Sequence, residues 1–344
     1  MAEKNVTCHI PKPAIDFNPP VYHVLPAAKP FHLDGNIEKD FWEDIPYTCD
    51  FADISGPGFP VPRFRTRAKM CWDQDNLYIA ALLEGDEIWA SITERDAVIF
   101  HDNDFEIFVD PDSDTQQYYE FEMNALNTVW DLMLTKAYRD NGSPVNSFDI
   151  KGLQSAVHIN GGLNNPQGRN SSWSVEVVFP FTSFMECLGG KKRPETGDFW
   201  RMNFSRVQWL VDVKDGHYEK RLGSDGTSPL PEDNWVWAPT GVVNIHYPEL
   251  WGFVFFTDSP QKEFAIPELE KQKWALRTLY YEEHRFWDEN GCFTDKLEEL
   301  TSLPPSFPVC IETTKHFFEI SCQSTEGGTL YILADGKTVY LPGE

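Results

Sequence analysis

The sequence predicts a mainly β protein: an antiparallel, jelly-roll-like β-sandwich followed by a small C-terminal α+β region. Short runs of β-forming residues, punctuated by Gly, Pro, Asn and Asp, occupy most of residues 31–257. The 344 residues are 41% hydrophobic and 14% aromatic, which is enough apolar material for a full core. No fixed-period repeat appears, so solenoid and propeller folds are not predicted.

Three regions follow one another along the chain. Residues 1–30 are rich in proline and predict an extended N-terminal arm laid over the fold, without regular structure. Residues 31–257 carry the sandwich. The composition then changes, and residues 258–344 predict a small α+β appendage.

The strands of the sandwich are predicted from short runs that alternate or are wholly apolar. Residues 66–72 and 77–83 form a hairpin around a turn at Asp73–Asn76. The further strands are predicted at 105–109, 117–125, 128–134, 173–179, 200–207 and 252–256.

The appendage is predicted to begin with a helix over residues 267–287, where apolar residues recur at helical spacing. Pro267 suits the first turn of that helix. A short helical stretch at 294–300 and strands at 316–322 and 329–334 complete the region.

The charge balance excludes several classes of partner. Lys and Arg total 29 against 54 Asp and Glu, for a formal net charge of -25 at pH 7. Such a chain repels nucleic acid and anionic membrane surfaces, so no nucleic-acid partner is expected. No apolar run is long enough to span a bilayer, so no membrane insertion is expected. Neutral ligands and divalent cations remain suitable partners.

The N-terminal residues contain no continuous apolar segment of a secretory signal, which favours a cytoplasmic location. A secreted origin stays open if a leader was removed, because glycosylation sequons occur at Asn5, Asn170 and Asn203. The seven cysteines include no CxxC pair, and we expect reduced, mostly buried thiols.

No common catalytic motif occurs: the chain has no HExxH, P-loop, GxSxG or GxGxxG sequence. The histidines are dispersed, and His246 is the one near other features of interest. Two interpretations of His246 stay open: a role in a functional site and a purely structural role.

The segment 101–114 has the highest density of acidic residues. Asp110, Asp112 and Asp114 are spaced like the opening of a calcium loop, and they predict a structural calcium site. An EF-hand is rejected, because Thr115 and Phe121 stand where that loop needs Gly and Glu. The alternative is an acidic turn without metal.

Strand alternation predicts a polar surface on two strands. Glu120, Glu122 and Asn124 share one face of the strand 117–125, and Glu106 lies beside them if the strand 105–109 pairs with it. Carboxylates and amides hydrogen-bond sugar hydroxyls, while aromatic faces cover the apolar side of a pyranose. The alternative is a solvated outer face.

Several segments in order resemble the family 9 carbohydrate-binding modules, which are DOMON-like β-sandwiches. They are LDGNIEKDFWEDIP (33–46), MCWDQDNLYIAALLEGD (70–86), DNDFEIFVDP (102–111), YYEFEMNALNTVWD (118–131), WSVEVVFPF (173–181), DFWRMNFSRV (198–207) and WAPTGVVNIHYPELWGFVFF (237–256). The whole of 31–344 is similar to stand-alone, family 9-like bacterial proteins.

The resemblance implies a sandwich that holds a terminal sugar between two tryptophans and carries structural calcium. By position it implies that Glu106 and Asn124 hydrogen-bond the ligand and that Phe100 replaces the first Trp. The chain departs from the family at two points: Glu122 stands where the family has a ligand-binding Arg, and Ile245–His246 stands at the second Trp. A replacement platform has three candidates, which otherwise belong to the core: Trp89, Trp235 and Trp237.

The predicted function is therefore non-catalytic binding of a glycan or sugar end, in glycan recognition or polysaccharide catabolism. Arg95, Arg206 or His246 would assist Phe100, Glu106, Glu122 and Asn124 in holding the ligand. One alternative is a glycoside-processing enzyme that pairs Glu106 with Glu120 or Glu122. Another is an interaction protein that has lost sugar binding and makes protein contacts through residues 258–344.

Overall fold

The computed structural model describes residues 10–185, 187–188 and 193–343. The predicted mainly β fold is confirmed. The strands of the large sheet system are β1 (Val21–Pro26), β2 (Ala52–Asp53), β3 (Thr66–Trp72), β4 (Asn76–Glu84), β5 (Asp104–Asp110), β6 (Gln116–Asn124), β7 (Val129–Lys136), β8 (Pro144–Val145), β9 (Gln154–Asn160), β10 (Ser172–Pro180), β11 (Phe199–Gln208), β14 (Asp233–Val236) and β15 (Gly252–Phe256). A separate hairpin between β11 and β14 consists of β12 (Val211–Lys214) and β13 (His217–Lys220).

The C-terminal region contains two helices and a small sheet. These elements are α1 (Glu268–Asn290), α2 (Leu297–Leu300), β16 (Val309–Thr313), β17 (Phe318–Gln323), β18 (Thr329–Leu333) and β19 (Thr338–Leu341). Short 3-10 helices lie at Asp40–Trp42, Ile99–His101, Tyr138–Asp140, Phe181–Phe184 and Pro248–Leu250.

The large sheet system folds over on itself as a sandwich. Its strands follow the order β8-β7-β6-β5-β11-β15-β1-β3-β4-β10-β9, so the first six and the last four form two halves joined by β1. The strand β1 pairs in parallel with β15 on one side and β3 on the other. The other pairings along this path are antiparallel.

The strand β1 corrects the prediction that residues 1–30 contain no regular element. Tyr22 and Val24 alternate with more exposed residues and are buried in the core, as a half-buried strand requires. Its flanking prolines do not break the pairing, because Pro26 ends the strand and the Pro20 carbonyl accepts a bond from the amide of Phe253.

The core lies between the two halves and is built from alternate residues of facing strands. Phe105, Ile107 and Val109 of β5 point into it, as do Tyr119, Phe121 and Met123 of β6 and Val175 and Val177 of β10. The intervening residues of β5 and β6 therefore lie on the opposite face of their half. This is the face on which the sequence places the polar residues.

Most predicted elements are found with small changes at their ends, including the hairpin β3–β4 and the helix α1. The prediction missed short or edge elements, among them β2, β8, β9, β12, β13, β14, β16 and β19. Such strands carry weak local alternation and are stabilised mainly by the neighbour with which they pair.

The C-terminal region packs α1 across the four-stranded sheet β16-β17-β18-β19. The shared core contains Leu276, Leu279, Tyr280, Phe318, Ile320, Leu330 and Ile332. The helix ends at Gly291, whose left-handed φ of 71° lets its amide bond the Trp287 carbonyl.

Buried polar contacts connect this region to the sandwich. Arg139 donates to both oxygens of Glu249 at 2.8 and 2.9 Å, and Tyr281 of α1 donates to the same carboxylate. Arg277 donates to the Thr115 hydroxyl at 2.9 Å.

Within the described residues, no helix is both long and apolar enough to cross a bilayer.

Two side predictions need correction. Of the six cysteines that the structure describes, Cys71, Cys187 and Cys322 are buried whereas Cys49, Cys292 and Cys310 are exposed, so the prediction of mostly buried thiols is wrong for half of them. The sequon at Asn203 is fully buried and its amide donates to the Ala238 carbonyl at 2.8 Å, so it cannot accept a glycan in the folded protein. Cys8 and the sequon at Asn5 lie outside the described residues.

Candidate functional site

A cavity of about 290 Å³ lies on the outer face of the half that contains β5, β6 and β7. Glu106 of β5 and Glu120 and Glu122 of β6 line it. We call these three residues the carboxylate floor. Around them stand the aromatic side chains of Phe100, Trp130 and Tyr138, which we call the aromatic rim.

Strand register brings the carboxylate floor together. Glu106 is directly opposite Glu122 in the antiparallel pair β5–β6, which confirms the pairing expected from the sequence. Glu120 is opposite Phe108, one step further along the same face. On its other side Glu106 is opposite Ser205 of β11.

The carboxylate floor is almost completely buried: Glu106, Glu120 and Glu122 are 6%, 5% and 1% exposed. Burial raises the pKa of Glu106 to about 7. Burial, followed by the charge of Glu106, raises the pKa of Glu120 to about 8. Burial and the charges of Glu106 and Glu120 raise the pKa of Glu122 well above its usual value. Near neutral pH the cluster therefore holds protons that isolated carboxyls would have lost.

Two buried polar atoms of the cavity residues have no hydrogen-bond partner within the described residues. They are Oε2 of Glu120 and the indole Nε1 of Trp130. A buried acceptor or donor without a partner costs free energy. A polar ligand that offers both hydroxyl hydrogens and hydroxyl oxygens would satisfy both atoms.

The aromatic rim is held by backbone and strand contacts. The Phe100 amide donates to Oε2 of Glu122 at 3.1 Å, and its carbonyl accepts from the indole of Trp209 at 2.9 Å. Trp130 of β7 is directly opposite Glu122 in the sheet. Tyr138 follows β7 in a 3-10 helix and is 41% exposed. One aromatic residue, Phe100, was predicted.

His246 lines the cavity in the segment where the family has its second Trp. Its Nδ1 lies 3.0 Å from the Tyr118 hydroxyl, and its ring meets that of Tyr138 edge to face at 4.7 Å between centroids. Burial and the nearby charge of Arg139 lower its pKa to about 3. At neutral pH His246 is therefore an uncharged part of the cavity wall.

Asn124 is not among the cavity-lining residues, although it is on the same strand face as the carboxylate floor. Its amide nitrogen donates to the Ile92 carbonyl at 2.9 Å and to Asp102 at 3.0 Å. Its amide oxygen accepts from the backbone of Leu126 and Thr128, both at 3.0 Å. The amide nitrogen therefore connects β6 to the segment 92–102, and the amide oxygen holds the β6–β7 turn.

Neither predicted arginine lines the cavity. Arg95 makes ion pairs with Asp131 and with Asp149. Arg206 is 2% exposed and points to the core side of β11, where it donates to the Gln208 side chain at 2.7 and 3.0 Å. Strand alternation explains this, because Ser205 and not Arg206 shares the face of Glu106.

The three tryptophans considered as a replacement platform are also misplaced. Trp89, Trp235 and Trp237 are 8%, 3% and 2% exposed, and Trp235 and Trp237 belong to the main core. The platform hypothesis is therefore wrong for these residues, and the core alternative describes them.

The predicted calcium ligands lie in the turn between β5 and β6, with one oxygen of each within 4.8 Å of the others. The two oxygens of Asp110 accept from the amides of Ser113 and Thr115 at 3.1 and 3.0 Å. Asp114 pairs with Lys337 at 3.1 Å. The donor set suits calcium, although all three carboxylates already have protein partners, since Asp112 accepts from the amide of Asp114 at 3.3 Å. Calcium at this turn stays a prediction.

Sequence reasoning missed Trp130, Tyr138 and Glu232 of the cavity. Alternation within 128–134 places Trp130 on the same face as Leu132 and Leu134, which offered a signal for the first of them. Tyr138 and Glu232 lie outside the strands, and no sequence period could have placed them.

The structure defines a mainly β protein whose cavity combines buried carboxylates with aromatic rings. Residues 33–193 match the family described as carbohydrate family 9 binding domain-like. The resemblance drawn from the sequence is therefore confirmed for this part of the chain.

The chain is also similar to several solved structures. A carbohydrate-binding candidate from Bacteroides uniformis ATCC 8492 is similar at 16% identity and a TM-score of 0.46, covering 69% of this chain and 97% of that one. A family 9 carbohydrate-binding module from Caldicellulosiruptor kristjanssonii in complex with cellotriose is similar at 14% identity and a TM-score of 0.43, covering 72% and 100%. The module from the same organism in complex with glucose shares 14% identity and a TM-score of 0.43, covering 71% and 100%. No curated protein matches the chain.

Proposed function

We propose that this protein binds carbohydrate in the cavity above the carboxylate floor, without breaking a bond. The observation that carries the proposal is the recessed group Glu106, Glu120 and Glu122 beneath the aromatic rim. The match of residues 33–193 to a carbohydrate-binding family supports it.

The chemistry of the cavity suits a sugar. Carboxyl groups accept hydrogen bonds from sugar hydroxyls, and a protonated carboxyl also donates one. Trp130 offers an unused indole donor, and aromatic faces cover the apolar C–H surface of a pyranose ring. The neutral His246 adds a flat aromatic ring to the cavity wall without introducing a charge.

The size of the cavity favours the end of a glycan over the middle of a chain. Its volume of about 290 Å³ falls at the lower limit of the roughly 300–1,000 Å³ typical of ligand pockets. We therefore expect one terminal sugar unit to fill it. Which sugar binds depends on the loop residues Val243 and Asn244 and on Tyr138, which surround the opening.

Titration calorimetry with monosaccharides and oligosaccharides tests the proposal. We expect saturable heat that is lost in Glu106→Gln and retained in Glu94→Gln, an exposed acid that does not line the cavity. Heat that persists in Glu106→Gln would place the sugar elsewhere. No heat with any sugar would favour an interaction protein with partners at residues 258–344.

The enzymatic alternative pairs Glu106 with Glu120 or Glu122, as two carboxyls at short range are the minimum for glycoside hydrolysis. Their proximity on β5 and β6 is the observation in its favour. Product analysis after long incubation with the bound glycan separates the two functions. If the wild type shortens the glycan and Glu120→Gln does not, the function is hydrolysis and the proposal of binding alone is wrong.

A further inference from the structure

We infer that a hard divalent cation of the calcium class binds between Asp104, Glu106 and Glu122, at the inner edge of the cavity. This place is distinct from the β5–β6 turn with Asp110, Asp112 and Asp114. It does not require that a sugar bind.

The geometry of the three carboxylates fits one coordination sphere. One oxygen from each of Asp104, Glu106 and Glu122 lies within 4.8 Å of the others. Calcium holds oxygen ligands at about 2.3–2.6 Å, so two ligands on opposite sides of the ion are separated by about 4.6–5.2 Å. The three oxygens are thus close enough to share one ion.

The charges of this group lack compensation by the protein. Within the described part of the chain, no Lys, Arg or His forms an ion pair with Asp104, Glu106 or Glu122. Two other buried acids show the alternative: Glu249 pairs with Arg139, and Glu270 pairs with Lys273. Unpaired buried charge is costly, and a bound cation removes that cost.

A second, independent observation comes from Asp104, which is completely buried. Its Oδ1 accepts from the Val207 amide at 3.2 Å, whereas its Oδ2 has no partner within the described residues. Because this oxygen has no partner and Asp104 belongs to the three-carboxylate group, Oδ2 is available as a metal ligand.

The donor set indicates which ion binds. The three ligands are carboxylates, without a thiolate or an imidazole among them, which suits Ca²⁺ better than Zn²⁺. Because calcium takes 6–8 ligands, positions beyond these three carboxylates remain to be filled, and Glu106 and Glu122 line the cavity from which further ligands would come. Water or the hydroxyls of a bound sugar would fill them.

Terbium and calcium are the probes for the test, on chelator-treated full-length protein. Trp130 is opposite Glu122 in the sheet, so a terbium ion at this place should show tryptophan-sensitised luminescence. We expect luminescence, and a rise in Tm with calcium, since a ligand of the folded state stabilises it. Both signals should fall at least about tenfold in apparent affinity in Glu106→Gln and Glu122→Gln.

Two variants serve as controls. Asp112→Asn removes a carboxylate from the β5–β6 turn, and Glu94→Gln removes an exposed acid; both should keep the signals. Circular dichroism and the Tm in chelator establish that the Gln variants are folded. Signals lost in Asp112→Asn but kept in Glu106→Gln would move the ion to the turn and overturn the inference, as would no signal at all.

The same titrations separate this inference from the proposed function. Sugar heat in chelator without any cation signal would leave sugar binding standing and overturn the cation site. A cation signal that depends on Glu106 without sugar heat would support the cation site and overturn sugar binding.

Discussion

Glu106 and Glu122 lie directly opposite each other on β5 and β6, 6% and 1% exposed, with no basic side chain paired to either within the described residues. Like charges at directly opposed positions of a sheet destabilise it. We therefore expect that a ligand or cation bound in the cavity offsets the cost of placing these two carboxylates together.

Removing one of these charges should stabilise the metal-free protein. We expect Glu106→Gln to raise the free energy of unfolding by about 1–2 kcal/mol at about pH 8 in chelator, because it relieves repulsion from Glu122. Urea denaturation measures this. Glu94→Gln should remain within about 0.5 kcal/mol of the wild type. A clear loss of stability in Glu106→Gln would instead show that its carboxylate is held by favourable hydrogen bonds, for example from Ser205.

Trp130 should contribute to sugar affinity through both its face and its indole N–H. We expect Trp130→Phe to weaken binding by several-fold, since it removes the unused donor, and Trp130→Ala by about tenfold or more. Calorimetry gives both affinities. Phe59→Ala is the matched control, because Phe59 is 56% exposed and does not line the cavity. Equal affinity in all three variants would remove Trp130 from the site.

Asn124 should matter for stability more than for ligand contact. Its side chain makes four hydrogen bonds, two within the β6–β7 turn and two to Ile92 and Asp102, so Asn124→Ala should cost about 2–3 kcal/mol of unfolding free energy. Asn290→Ala, which removes one exposed hydrogen bond to Phe286, should cost far less. If Asn124→Ala retains full stability but loses sugar binding, the residue contacts the ligand.

Glu283 of α1 should make stability depend on pH. Burial raises its pKa from 4.5 to about 7, and its Oε1 has no partner within the described residues. A raised folded-state pKa gives stability that is present below about pH 4.5 and is lost as the pH rises through about 7. The expected advantage of Glu283→Gln over wild type therefore grows by about 2 kcal/mol between about pH 5 and pH 8.

Chemical denaturation of both proteins across that range measures the difference. Because the carboxylate floor titrates equally in the two proteins, its contribution cancels. A difference that does not change with pH would show that Glu283 keeps an ordinary pKa.

Local pattern was sufficient to predict part of the site. Residues two apart on one strand share a face, so the sequence of β5 and β6 placed Glu106 and Glu122 together once those strands paired. The same alternation predicted which residues fill the core, including Phe105 and Ile107. These properties are local and depend on few contacts distant in sequence.

The tertiary structure decided the rest, because it depends on contacts between distant segments. Tyr118 meets His246 across 128 residues, which closes one wall of the cavity. The strand β1 pairs in parallel with β15 around Phe253 and joins the two halves of the sheet system. The proline-rich sequence of residues 1–30 did not predict this strand. The lack of a basic partner for Asp104, Glu106 and Glu122 within the described residues is likewise a property of the folded surroundings.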